Sequence, residues 1–270
     1  MSFLTVSNPW NAPVYYYETV SSTMDAAYRL ADQGEPHGTV AAADYQEAGR
    51  GRAGRLWNAE RGKNLFFTLI LRYPDIAAFP RALTLRAGLA VSLAVEDFAP
   101  GLAGAVLVKW PNDVMIDARK VAGVLTEAKG GAVFLGIGIN VAQIAFPGDI
   151  SAKAGSILQA VRNRGGPDPA AGRAVLLERI LARLQEELAS AGPWRERLEE
   201  RLYLKGRRVR FIAGGADSGR AVDGVLAGIG AGGELLLIPG GGAAPEAWVT
   251  GELQAYQAPA RPLASPPVPG

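Results

Sequence analysis

Apolar residues in this chain follow two periodicities that succeed one another along its length. Val14 to Val20 is β-branched and aromatic and predicts a strand. Ser22-Thr23-Met24-Asp25 has capping-box spacing, and Ala26, Ala27 and Leu30 then mark a helix that stops at Gly34. Thr39 to Tyr45 predicts a buried strand, Lys63 to Tyr73 another, and Leu83 to Phe98 a core helix ending before Pro100-Gly101. Four strands follow, Ala105–Trp110, Val114–Ile116, Lys120–Glu127 and Ala132–Ile139, interrupted at Pro111-Asn112-Asp113 and turned at Asp117-Ala118-Arg119. Short turns between successive strands predict an antiparallel meander. With the helices the class is α+β, a mixed and largely antiparallel sheet packed with helices.

Beyond a Gly/Pro loop at 163–169, Val175, Leu176, Ile180, Leu184 and Leu188 mark a further helix. A helical piece from Trp194 to Leu202 interleaves Arg with Glu, which predicts a solvated face of i,i+4 pairs. From Gly206 the period shortens to four strands, 207–212, 221–229, 234–238 and 247–256, between glycine-rich turns. That predicts a small β-barrel. The domains expected are therefore 1–202, a barrel at 203–257, and an Ala/Pro-rich disordered tail at 258–270.

Composition narrows the chemistry. The 270 residues are 49% hydrophobic and 20% charged with a net charge of +2, so any anion specificity is local and not global. With no cysteine and one histidine, His37, the usual Cys/His zinc site, a cysteine nucleophile and a disulfide framework are excluded. An enzyme with this inventory must work with Lys, Arg, Asp, Asn and backbone donors, which suits reactions whose substrate brings its own nucleophile. The first basic residue is Arg29, so a secretory signal is not expected. The uncharged run Gly130–Gly148 holds five glycines and Pro147 and reads as strand and loop, not a membrane span. A cytoplasmic protein without membrane contact is expected.

One stretch stands apart: Gly49-Arg50-Gly51-Arg52-Ala53-Gly54-Arg55, then Leu56-Trp57. Glycines permit close backbone approach and guanidinium groups bind carboxylate or phosphate, although a solvated surface loop has the same composition. Lys109 and Lys120 interrupt apolar strands on two arms of one predicted hairpin, so both ammonium groups could reach one pocket; singly, each is the snorkelling kind. Asp113 could hold Mg²⁺ or cap its turn, and Asn112 could read a base edge or do the same.

Taken in order, these motifs resemble the biotin protein ligases. The resemblance rests on Ser22-Thr23, Gln46–Trp57, Lys109-Trp110-Pro111-Asn112-Asp113, Lys120-Val121-Ala122-Gly123 and Gly136-Ile137-Gly138-Ile139-Asn140-Val141. It implies a class II synthetase-like catalytic domain followed by a small SH3-like barrel. It also implies a reaction: biotin's carboxylate attacks the α-phosphate of Mg·ATP, and a carrier-protein lysine then attacks biotinyl-5′-AMP. The resemblance assigns catalysis to Lys120, Arg52, Lys109 and Asp113, the last also as a Mg²⁺ ligand. It assigns biotin contacts to Ser22, Thr23, Met24, Gln46, Arg50, Gly51, Arg52, Trp57, Lys120 and Gly123. Arg50, Arg52, Asn112, Lys120 and Asn140 are assigned to the nucleotide. Met24 stands where many relatives carry Asn, which leaves a backbone contact there.

The implied partner is the biotin carboxyl carrier protein or domain of acetyl-CoA carboxylase or a related carboxylase, and a homodimer is compatible. Residues 1–13 are too few for the helix-turn-helix of bifunctional members, so no DNA binding is expected. Two alternatives stay open: a lipoate or octanoate ligase of the same fold, and a non-catalytic biotin or nucleotide sensor. A sensor's partner could dock on Lys205, Arg207, Arg208 and Arg210, a group that also suits a solvated strand edge.

Overall fold

A computed structural model describes residues 1–169, 172–189, 192–214, 219–242 and 244–256. The expected tail from 258 lies outside the described residues. In chain order the elements are β1 (Ser2–Phe3), β2 (Val14–Tyr17), α1 (Thr23–Asp32), β3 (Val40–Ala43), β4 (Asn64–Arg72), α2 (Leu83–Phe98) and β5 (Leu107–Lys109). There follow β6 (Asp113–Ile116), β7 (Arg119–Lys129), β8 (Ala132–Asn140), α3 (Ile157–Asn163), α4 (Arg173–Ala189) and α5 (Trp194–Glu200). The last five are β9 (Arg208–Ala213), β10 (Arg220–Ile229), β11 (Leu235–Pro239), β12 (Glu246–Trp248) and β13 (Gly251–Ala255).

The first eight strands form one sheet in the order β1-β2-β3-β4-β8-β7-β6-β5. Only β2 and β3 run parallel, because α1 carries the chain back across one face between them. The β5–β8 meander is present as the sequence predicts. β4 is buried along nearly its whole length because both faces of the sheet are covered. On one face Met24, Ala26, Ala27 and Leu30 of α1 pack with Ile70 and Phe134. On the other, Leu176, Leu177, Ile180, Leu181 and Leu184 of α4, at helical spacing, close with Ala87, Val91 and Val95 of α2.

The remaining five strands form an antiparallel, barrel-like sheet in the order β12-β11-β10-β9-β13. The single strand expected over 247–256 is split in two. The second piece starts at Gly251 (φ +151°), where a Cβ would come within 2.3 Å of the Phe211 ring, so the chain turns at a residue that has none. Two other expectations change. The Ser22 hydroxyl caps α1 by accepting from Met24 N–H, but Asp25 turns outward, so the box is not reciprocal. The Arg and Glu of this segment do not pair at i,i+4: Arg197 meets Glu187 of α4, Arg201, just past α5, meets Glu96 of α2, Glu199 meets Lys205, and Arg195 meets its neighbour Glu196.

Glu187 is 2% exposed and sits between Arg86 of α2 (3.2 Å) and Arg197 of α5 (2.6 Å). Removing one partner of a buried ion pair leaves charge without its counter-charge. Glu187→Ala should therefore destabilise the fold by about 3 kcal/mol, read from the denaturant midpoint.

Candidate active site

The site lies on the α1 side of the sheet, over a floor of small residues. Gly123 of β7 and Gly138 of β8 are register partners, and Gly136 follows Gly138 on the same face. A Cβ at Gly123 would come within 2.8 Å of the Trp57 indole and one at Gly138 within 3.1 Å, so the indole rests directly on these glycines. The Lys120 ammonium stands 5.3 Å from the centre of the same ring, in cation–π range. Trp57 Nε1 is buried without an acceptor.

At one end of this floor the group is polar and buried. Gln46 Oε1 accepts from both the backbone N–H (2.8 Å) and the hydroxyl (3.1 Å) of Thr23, and the Thr68 hydroxyl donates to Thr23 Oγ1 at 3.0 Å. Thr68 lies inside the apolar run of β4 and nothing in its neighbours distinguished it in the sequence. Met24 places its side chain against Gly136 and its N–H on the Ser22 cap.

At the other end the group is cationic. Asp113 of β6 is the register partner of both Lys109 on β5 and Gly123 on β7. Lys109 and Lys120 therefore flank Asp113 from the two outer strands of a three-stranded ribbon, not from one hairpin. Lys120 Nζ is 2.6 Å from Asp113 Oδ1. A register shift near Val114 and Met115 places Lys120 at an irregularity, where its N–H donates to Lys153 O and its carbonyl accepts from Gly155 N–H. Burial pushes the Lys109 ammonium below its ordinary value, against the opposing pull of Asp113 and Glu252.

The three arginines of the Gly/Arg loop point three ways. Arg52, half-buried, reaches Asn112 Oδ1 at 3.4 Å, while Asn112 Nδ2 donates to Val124 O at 2.9 Å. Arg50 forms a two-pronged pair with Asp25 at the first turn of α1, 2.6 Å at its shorter contact. Arg55 reaches Glu252 of β13 at 3.4 Å. The loop is also pinched at its base, Trp57 N–H donating to Gly49 O and Gly51 N–H to Arg55 O. It is a folded flap tied to α1 on one side and to the barrel on the other.

Asn140 stands further along β8. Its Nδ2 donates to Gly155 O at 3.0 Å and its Oδ1 is buried without a donor. The surroundings of Asp113 do not fit a resident divalent cation. Its carboxylate faces Lys120, Lys109 and Arg52, and no group of three or more His, Asp or Glu side chains gathers among the described residues.

Residues 16–143 match the Biotin/lipoate A/B protein ligase family. The chain is 40% identical over 153 residues to the bifunctional ligase/repressor BirA of Bacillus subtilis (strain 168), covering 54% of this chain and 46% of that protein. It is 36% identical over 145 residues to the biotin–[acetyl-CoA-carboxylase] ligase of Mycobacterium tuberculosis, covering 52% and 53%. The chain thus spans about half the length of these curated relatives. Among solved structures it resembles the biotin protein ligase from Aquifex aeolicus in complex with biotin and ATP. That match has a TM-score of 0.72 and 28% identity over 89% of this chain and 97% of that one. Among the described residues no helix is long and apolar enough to cross a membrane.

Proposed function

We propose that the chain is an ATP-dependent biotin ligase that forms biotinyl-5′-AMP and passes the acyl group to a lysine of a biotin carboxyl carrier domain, in the cytoplasm. The observation that carries this reading is a glycine floor under Trp57 that ends on buried hydroxyls at one side and on Lys120, Lys109 and Arg52 at the other. That order of groups, polar, then apolar, then cationic, matches a bicyclic ligand with a ureido group at one end and a carboxylate at the other. Thr23, Thr68 and Gln46 would take the ureido end, and the glycine floor with Trp57 the rings. Lys120 would hold the carboxylate.

In the first step a carboxylate oxygen attacks the α-phosphorus, the bridging Pα–O bond breaks, and pyrophosphate leaves. Charge accumulates on the phosphoryl oxygens, where Lys120 and Arg52 offset it. Asp113, 2.6 Å away, fixes the Lys120 ammonium in direction. Asn140 Oδ1, lacking a donor, suits the exocyclic amine of adenine. Mg²⁺ would arrive as part of the nucleotide substrate, held by its phosphates. In the second step the acceptor amine attacks the acyl carbon, loses a proton, and AMP leaves. Neither step needs a protein nucleophile.

Biotin-dependent exchange of radiolabelled pyrophosphate into ATP tests this reading. Lipoate and octanoate lack a ureido group and would leave the buried polar end unpaired, so biotin should be preferred on the order of 10⁴-fold. Exchange with lipoate or octanoate alone, or tight biotin binding without exchange, would contradict it. A branched side chain on the floor should exclude the ligand. Gly138→Val displaces Trp57 from its seat and should weaken biotin binding about tenfold or more by calorimetry, about 1.4 kcal/mol or more.

A further inference from the structure

The barrel-like domain carries none of the predicted site residues, yet its core continues into the site. Val108 and Trp110 of the large domain belong to the same buried cluster as Val209, Phe211, Leu226, Leu235 and Leu253. Lys109 stands between them, and alternation along β5 turns it to the opposite side, toward Asp113. Trp110 is 2% exposed, its ring 5.8 Å from that of Phe211, and its indole N–H donates to Gly233 O at 3.0 Å. Gly233 belongs to the turn between β10 and β11 and has φ +97°; a Cβ there would come within 2.8 Å of Ala82 Cβ at the start of α2. The backbone of β5 is held from the same side, Val108 N–H donating to Arg201 O and Tyr203 N–H to Val108 O. Immediately after Trp110 come Pro111, Asn112 and Asp113, two of them site residues.

We propose that Trp110 is a positioning residue: anchored to Gly233 of the C-terminal domain, it fixes Lys109 and the Asn112-Asp113 turn against Lys120. The barrel-like domain is then a structural part of the site and not an appended module. The assignment rests on the ligase reading for its consequence but not for its geometry, so the test has one arm that needs no ligand.

Trp110→Phe removes the donor and keeps most of the ring, whereas Gly233→Ala moves the acceptor and keeps the tryptophan. Lys109 can be titrated in the ligand-free protein by isotope-labelled reductive methylation and NMR. In the parent it should titrate below the ordinary lysine range. In both variants it should move back up toward the ordinary range, as water reaches it and relieves the burial that lowers it. In the second arm, both variants should lower kcat for pyrophosphate exchange about tenfold and raise KM for ATP, with KM for biotin unchanged. Folded variants in which Lys109 titrates as in the parent would overturn the proposal. So would a parent whose Trp110 indole N–H exchanges with deuterium as fast as an exposed indole, a result that stands even if neither variant folds. Failure of the ligase reading would instead show as a parent without exchange, whatever Lys109 does.

Discussion

Lys120→Ala should reduce biotin-dependent pyrophosphate exchange by about 10³-fold or more while biotin still binds. The ammonium is held at the centre of the site by three independent restraints. Asp113 lies 2.6 Å away, Trp57 presents its ring face at 5.3 Å, and the backbone of Lys120 is bonded on both sides to residues 153 and 155. A charge so preorganised costs nothing to reorient when negative charge develops, and losing one such donor is worth about 3–4 kcal/mol. Arginine is no substitute. The Lys120 side chain already lies 3.1 Å from where a Cβ on Gly123 would be, so a planar guanidinium has no room beside the floor. Near-parent exchange in Lys120→Ala would remove the residue from the mechanism.

Arg52→Gly should act on the other side of the reaction. Arg52 is the inward arginine of the flap, while Arg50 and Arg55 tie the flap to Asp25 and Glu252. Without it the flap stays tethered but no longer reaches Asn112, and water and free amines gain access to the mixed anhydride. Adenylate formation should stay within about tenfold of the parent. Release of the adenylate should rise about tenfold or more, a difference of about 1.4 kcal/mol. It should be visible as label on proteins that carry no biotin-acceptor lysine. A variant that retains its adenylate as tightly as the parent contradicts this role.

Much of this was legible in the sequence because it is local. Period-two runs and tight turns marked the meander, and Asp117-Ala118 does form a turn, with φ of +51° and +59°. The spacing of Leu176, Ile180 and Leu184 marked the buried stripe of α4. What escaped depends on neighbours distant along the chain. α3 is seven residues long, and its capping box at Ser156 and Gln159 passes unnoticed in a polar loop. The division of β12 from β13 is set by the Phe211 ring, forty residues earlier in sequence.

The site divides in the same way. Lys109, Lys120, Arg52 and Trp57 stood out because each breaks a local pattern. Arg50 broke the pattern equally well, and its pair with Asp25 is revealed only by the approach of α1 to the flap. Thr68 broke nothing, since a threonine in a strand is ordinary, and it acquires meaning only opposite Thr23. Trp110 read as a strand residue within a motif; its anchorage to Gly233, in a turn of the second sheet, lies far along the chain.

The most direct test of the central claim is transfer itself. The purified protein, incubated with biotin, Mg·ATP and a biotin carboxyl carrier domain, should add one biotinyl group to one carrier lysine, as read by intact mass and peptide mapping. The product should disappear when that lysine is replaced by arginine or when ATP is omitted. A carrier domain that stays unmodified while a known biotin ligase modifies it under the same conditions would contradict the account.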